Sequence, residues 1–317
     1  MKPEILVSTK ALGHDEWLEY RRQGIGGSDA STIVGLNPYN SRFRLYADKK
    51  GLLDEIPDNE AMRQGRDLEE YVARRFEEAT GKKVRRRNYM FRSAEHPFML
   101  ADIDRDIIGE NAGLECKTTS AFSKSDFENG EIPLTYYVQM MHYMSVMDYE
   151  RMYLAVAVLG KGFYHFVIER DEDEINSLIK AEQEFWEDNV LKDIPPELDG
   201  SEATTEAVKQ IYPSEQPSSE TDDEVYIPEE LMKRYGEVKE IADKAKSQLD
   251  GIKAEIEVIL GNCGVGKSDH YKITWKTQQR TSVDSKKLKN NYPEIYADCS
   301  ATSKSRVLRI NKNKGDK

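Results

Sequence analysis

Leu100-Ala101-Asp102-Ile103-Asp104 and Gly113-Leu114-Glu115-Cys116-Lys117-Thr118 decide how this chain reads. Both are strand-like runs, Phe98–Asp104 and Gly113–Thr118, and the polar turn Gly109-Glu110-Asn111-Ala112-Gly113 joins them. Side chains alternate faces along a strand, so Glu115 and Lys117 point one way and Cys116 the other, into the core. Asp104 on the neighbouring strand can reach the same spot. Two carboxylates and an ammonium on one face suit Mg²⁺ and a water, because hard cations prefer oxygen ligands. Such an ion lowers the pKa of its bound water and neutralises charge on a phosphoryl oxygen. The ordinary reading of so short a pattern is a surface cross-strand ion pair. The flanking sequence therefore has to decide.

Outward from these runs, helical and strand-like patterns alternate. Trp17 to Gln23 reads as a helix, followed by a Gly loop at Gly24–Gly27. Ser28-Asp29 looks like a cap opening a helix that ends at Gly35. Arg63 to Thr80 is amphipathic, with Leu68, Val72, Phe76 and Ala79 on its stripe and Gly81 as its stop. It carries Glu69, a potential third acid, although a solvated helix carboxylate is the plainer reading. Tyr89–Arg92 reads as a strand. Thr135 to Met147 is a Met- and Tyr-rich helix carrying Gln139, where a polar residue on a partly buried helix is the plainer reading. Arg151–Val158 and Gly162–Ile168 read as strands, and Asp173–Val190 as a helix. This order predicts an α/β fold with a mixed central sheet flanked by helices. Arg21 and Arg22 lie close to Gly26-Gly27-Ser28, which sets cations beside a helix N-terminus. That arrangement favours a phosphate, with an ordinary capped turn as the plainer reading.

The 317 residues allow one large domain or two ordinary ones. The net charge of −12 argues against a nucleic-acid partner, but its distribution does not. Residues 171–230 hold 20 Asp/Glu against Lys180, Lys192 and Lys209, and the rest of the chain is net basic. Residues 264–317 hold 13 Lys/Arg against five Asp/Glu. Cys116, Cys263 and Cys299 form no C-x-x-C, which excludes a disulfide framework, a Cys-rich zinc site and a four-Cys cluster. No run approaches the roughly 18–20 apolar residues of a membrane span, and the N-terminus lacks a signal-peptide pattern. The expectation is a cytoplasmic protein with no membrane partner.

Three regions are expected: a core over 1–195, an acidic Pro/Ser-rich linker over 196–228, and a heptad helix with a basic β tail over 229–317. Apolar or small residues at 231, 235, 238, 242, 245, 249, 252, 256 and 259 keep a 4,3 spacing, the mark of a heptad seam. Tyr271, Ile273 and Trp275 alternate as a strand, and Arg306–Ile310 reads as a second. Gly261 to Ser268 matches G-x-x-x-x-G-K-[ST] letter for letter. A phosphate-binding loop follows a strand and opens a helix. Here a helix precedes and a strand follows, so the segment reads as a helix stop and a turn.

The ordered set Trp17-x-x-x-Arg21…Gly-Gly-Ser28-Asp29-Ala30, Gly65-x-x-x-Glu69, Leu100–Asp104, Gly113–Thr118 and Tyr137-Val138-Gln139-x-x-x-Tyr143 resembles the YqaJ-like viral recombinase family, which includes the phage lambda exonuclease. Phe166 to Glu172 adds to the likeness, which covers about residues 14–190. The resemblance implies a restriction-endonuclease-like core of the PD-(D/E)xK nuclease superfamily, with Ile103 in place of the Pro. It implies that Glu69, Asp104, Glu115 and the Cys116 carbonyl hold Mg²⁺, or Mn²⁺ in its stead. Lys117 would orient or help deprotonate the attacking water, and Gln139 would sit near the scissile phosphate. Arg21 and Ser28 would hold a DNA 5′-phosphate, the spacing fitting Arg21 better than Arg22. Asp102 has no role assigned.

The resemblance further implies a 5′-to-3′ exonuclease on double-stranded DNA ends, within a phage or prophage recombination system. Its implied partners are a single-strand annealing protein and copies of itself, as a ring-shaped trimer. Two alternatives remain open on sequence. An endonuclease or repair nuclease on the same core would cut closed circles. A non-catalytic DNA-binding or assembly protein would show no Mg²⁺-dependent cleavage.

Overall fold

The computed structural model describes residues 2–55, 57–120, 127, 129–213, 225–302 and 306–311. The chain forms two compact units, Met1–Pro213 and Ser214–Lys317. Among the described residues no helix is long and apolar enough to cross a membrane.

The first unit is built on two sheets. One has the order β1 (Glu4–Ser8), β4 (Tyr89–Arg92), β5 (Met99–Asp102), β2 (Ile25–Gly26). The other has the order β3 (Val84–Arg85), β6 (Arg105–Ile107), β7 (Ala112–Thr119), β8 (Arg151–Val158), β9 (Gly162–Glu169). The run Phe98–Asp104 is therefore not one strand beside β7. It stops at Asp102, and Ile103 and Asp104 carry the chain from one sheet to the other. The short β6 is what pairs with β7, placing Arg105 opposite Leu114.

Strands β7 and β8 are parallel, with Glu115 opposite Leu154 and Lys117 opposite Val156. A parallel pair needs a crossover, and helix α5 (Leu134–Met147) supplies it. This helix is buried on most sides, with Met140, Met141, Tyr143 and Met144 all in the core, as expected of a helix apolar nearly all round. His142 within it is fully buried. One ring nitrogen meets Glu182 Oε1 and the other the Leu100 carbonyl, each at 2.8 Å, which fastens α5 to β5.

Before the crossover come α1 (His14–Arg22), α2 (Gly27–Ile33), α3 (Arg42–Lys49) and α4 (Glu60–Thr80). Asn59 caps α4 by accepting the Met62 N–H, and Gly81 ends it with φ 72°. Val72, Ala73 and Phe76 bury its stripe in the cluster that holds Leu114 and Tyr153. Glu69 lies one turn ahead on that stripe, which brings it toward β7. The expected Ser28 cap is displaced. Gly26 is the N-cap of α2, Ser28 lies inside the helix, and the Asp29 carboxylate accepts the Gly26 N–H at 3.0 Å. A side chain at Gly27 would meet the Tyr143 ring at 2.6 Å, so glycine allows α2 to start hard against α5.

After β9 come α6 (Glu172–Glu184), a π-helical turn over Phe185–Leu191, and α7 (Glu202–Ile211). Helix α7 corrects the expected linker over 196–228. Ser201 caps it by accepting the Thr204 N–H. Ala207 is fully buried beside Phe43, Leu45 and Phe185. The acidic composition conceals a stripe of Ala207, Val208 and Ile211, and the first unit extends to Pro213. Residues 214–224 of that expected linker lie outside the described residues.

In the second unit, α8 (Glu229–Leu260) is a single helix of 32 residues. Gly261 follows it with φ 53°. Strands β10 (Val265–Lys267) and β11 (Lys272–Thr274) then pair antiparallel. The loop-like motif at Gly261–Ser268 is thus a helix stop leading into a hairpin. Short helices α9 (Ser285–Asn291) and α10 (Pro293–Asp298) follow. Residues 306–310 do not form the expected second strand.

Candidate active site

Asp104 sits in the link between the sheets, where its Oδ2 accepts the Cys116 N–H at 2.7 Å. Burial, then the nearby charges of Glu115 and Glu69, push its carboxyl well above the usual carboxylate range. Glu115, on β7, is buried. Its Oε1 receives the Gln139 amide at 2.8 Å and the Lys117 ammonium at 2.7 Å. Its Oε2 is buried with no hydrogen-bond partner. Burial alone would lower Lys117, but Glu115 and Asp104 outweigh it and hold the ammonium above its ordinary value. The Lys117 Nζ also lies 5.2 Å from the centroid of the Tyr136 ring. Gln139 donates to the Tyr143 hydroxyl at 3.2 Å as well. Burial, followed by the Glu115 charge, raises Tyr143 well above its ordinary value.

Glu69 reaches the same cleft held by cations. It pairs with Arg105 and, at 2.6 Å, with Arg86. The guanidinium of Arg105, almost wholly buried, also donates to the Asp104 carbonyl at 2.7 Å and to Glu70 at 2.8 Å. Burial, with Asp104 and Glu115 adding to it, pushes the Cys116 thiol well up. That side chain packs on the core of Val72, Phe76 and Leu114.

The second predicted group lies in the same cleft. Arg21 Nη2 donates to Ser28 Oγ at 2.9 Å and to Asp29 Oδ1 at 3.0 Å. Its guanidinium lies over the Trp17 ring at 5.0 Å. Asp29 also accepts from Lys49 at 2.7 Å. Burial works against this carboxylate's charge, yet Lys49 and Arg21 hold its pKa far below the usual range. Arg22 points elsewhere, toward Asp48 at 3.7 Å. Between the alternatives left open by spacing, Arg21 is the one in the cleft.

One cleft of about 310 Å³ is lined by Arg21, Ser28, Glu69, Asp104 and Glu115 together. Lys117 and Gln139 stand behind Glu115 rather than on its wall. Sequence reasoning missed several residues here. Arg105 and Arg86 neutralise Glu69, and the run Arg85-Arg86-Arg87 was a visible signal for the latter. Asp102, left without a role, lines the cleft and accepts the Trp17 indole N–H at 2.9 Å. Lys49, which holds Asp29, stands in no motif.

Among the described residues, no three of His, Cys, Asp and Glu are gathered closely enough to form a metal-binding cluster. The reason is visible in the pairings. Arg105 and Arg86 draw Glu69 aside, and Lys117 occupies one oxygen of Glu115. The donor set still suits a hard cation. It offers carboxylate oxygens, one of them buried and unpartnered, and a neighbouring acid whose charge is penalised by its surroundings.

Solved structures share this architecture. The crystal structure of an alkaline exonuclease from Laribacter hongkongensis matches with a TM-score of 0.50 at 18% identity, covering 57% of this chain and 94% of that one. The same enzyme in complex with dAMP gives the same figures. The core is thus a restriction-endonuclease-like fold with an acid-lined cleft. The YqaJ-like viral recombinase domain matches residues 16–150. The uncharacterized protein YqaJ of Bacillus subtilis (strain 168) is 39% identical over 301 residues, 93% of each chain. The chain belongs to the YqaJ-like viral recombinase family.

Proposed function

We propose that this protein is a Mg²⁺-dependent nuclease, with Mn²⁺ as a substitute ion, that degrades double-stranded DNA 5′ to 3′ from its ends. The observation that carries the reading is the single cleft. Asp104 and Glu115 lie in it with an unpartnered buried Glu115 oxygen, and Arg21 and Ser28 lie in it as well. Glu69, Asp104, Glu115 and the Cys116 carbonyl would hold the ion. When bound, it would activate a water and offset charge on the phosphate being attacked.

The chain's own residues do the rest. An ammonium has donors only, so Lys117, standing behind Glu115, fixes that carboxylate in one rotamer and through it would orient the water. Gln139 holds Glu115 from the opposite side and keeps its charge in place near the scissile phosphate. Arg105 and Arg86 restrain Glu69 until a stronger cation competes for it. Arg21, stacked on Trp17 and braced by Asp29, presents its guanidinium to a terminal phosphate, with the Ser28 hydroxyl beside it.

In this reading the enzyme exposes a 3′ strand for a single-strand annealing protein and works as a homo-oligomer, a ring-shaped trimer around DNA. The test compares linear duplex with closed circular duplex of the same sequence. Digestion of the linear form alone, releasing nucleotides from the 5′ end, is expected. Equal cutting of the circle would instead establish an endonuclease, and intact DNA in both would establish a non-catalytic protein.

A further inference from the structure

The apolar stripe of α8 has an electrostatic frame that the cleft does not use. Leu231, Val238, Ala245, Ile252 and Ile259 take position d of the heptad, and Tyr235, Ala242, Leu249 and Ile256 position a. All of these residues are exposed, Leu249 by 51% and Ile252 by 54%. A stripe of that length left in water marks an interaction surface.

The flanking positions choose the partner. Position e is Lys239, Lys246 and Lys253 in successive heptads, and position g is Arg234, Ile241, Gln248 and Glu255. Lys239 and Lys253 pair with Asp243 and Asp250 on their own helix at 3.2 and 3.7 Å. Those are exposed pairs of small energetic consequence. In a parallel pair of identical helices, g of one faces e of the next heptad on the other. Arg234 would then face Lys239, and Ile241 and Gln248 would face lysines with no charge to offer. In an antiparallel pair, e faces e, and lysine meets lysine. Both self-pairings set basic residues together, and the one opposite-charge contact open to either is Arg234 with Glu255, where g faces g in an antiparallel pair.

We infer that α8 is a docking helix for a different protein, one that presents an amphipathic helix with acidic e and g positions. The basic rail at e would meet one acidic row of the partner across a shared apolar seam, its g row in a parallel pair or its e row in an antiparallel one.

The test uses the full-length protein and two synthetic peptides of about four heptads, with Ile at a and Leu at d. One carries Glu at every e and g, the other Lys. Fluorescence anisotropy should show the Glu peptide binding at least about tenfold more tightly at low salt, with the gap narrowing near 0.5 M salt. Lys239→Glu/Lys246→Glu/Lys253→Glu should reverse the preference. Leu249→Asp/Ile252→Asp should abolish binding of both, with the circular dichroism spectrum retained. Equal affinity for the two peptides, or no binding of either, would overturn the inference. So would dispersal of an oligomer by Leu249→Asp/Ile252→Asp in sedimentation without peptide, because a second copy would then occupy the seam.

Discussion

Replacing Glu115 by Gln separates the chemistry of the cleft from its packing. The amide keeps the shape of the side chain, so an oxygen can still accept from Lys117 or Gln139, now 2.7 and 2.8 Å from Oε1. The charge-assisted bond to Lys117 weakens, a loss of roughly 1.5–3 kcal/mol if complete. Against it, a buried charge is removed, although an amide NH2 takes the place of the unpartnered Oε2, and Asp104 loses the charge that, after burial, most disfavours its ionised form. The two effects are of similar size and opposite sign, so stability should stay within about 1 kcal/mol, a Tm shift of roughly 2–4 °C. Cleavage should fall at least about 10³-fold, near 4 kcal/mol of transition-state stabilisation at about 1.36 kcal/mol per decade. Calorimetry and digestion of 5′-phosphorylated linear duplex measure the two. Wild-type rates in the Gln variant would refute the reasoning. So would loss of activity together with collapse of the melting transition, since Glu115 would then be only a structural ion-pair partner.

Other consequences follow from the same geometry. Removing the 5′-phosphate should slow digestion roughly tenfold or more, the scale of charge-assisted contacts, and Arg21→Ala should erase most of that difference; full discrimination by Arg21→Ala would place the phosphate pocket elsewhere. The raised Asp104 pKa means that the metal-free fold binds more protons than the unfolded chain above about pH 4, so its stability should fall as pH rises from there to the raised folded value and then level off. Asp104→Asn should flatten that slope in Tm-versus-pH scans, and an unchanged slope would contradict the assignment. A 1–213 fragment should keep metal-dependent cleavage yet bind DNA with a shallower salt slope, by roughly 0.9 for each phosphate that the basic tail neutralises. A 1–200 fragment should melt lower, because it lacks α7 and the buried Ala207.

The site was legible in sequence because strand periodicity places Glu115 and Lys117 on one face whatever the register. Helical spacing likewise puts Glu69 on the buried stripe of α4. Strand β8 and helix α5 were legible as well, since a buried parallel strand and a buried helix leave long apolar runs. Three features were not. The break at Ile103 that moves Asp104 between sheets carries no glycine or proline to announce it. The Asp29 carboxylate that moves the α2 cap to Gly26 is also held by Lys49, which lies 20 residues away. In α7, acidic residues around a short stripe outweighed its three apolar positions when averaged over composition. At the other end, Arg306–Ile310 has strand-like side chains, but a strand also needs a neighbour, and sequence alternation does not supply one.

Metal-dependent hydrolysis in the Asp104–Glu115 cleft underlies everything proposed for this protein. Its most direct test is a digestion of 5′-phosphorylated linear duplex by the full-length protein, run with Mg²⁺ and with EDTA. Nucleotide release with Mg²⁺, none with EDTA and none from Glu115→Gln with Mg²⁺ is the predicted result. Release that persists in EDTA, or DNA left intact in Mg²⁺ and in Mn²⁺ alike, would contradict it.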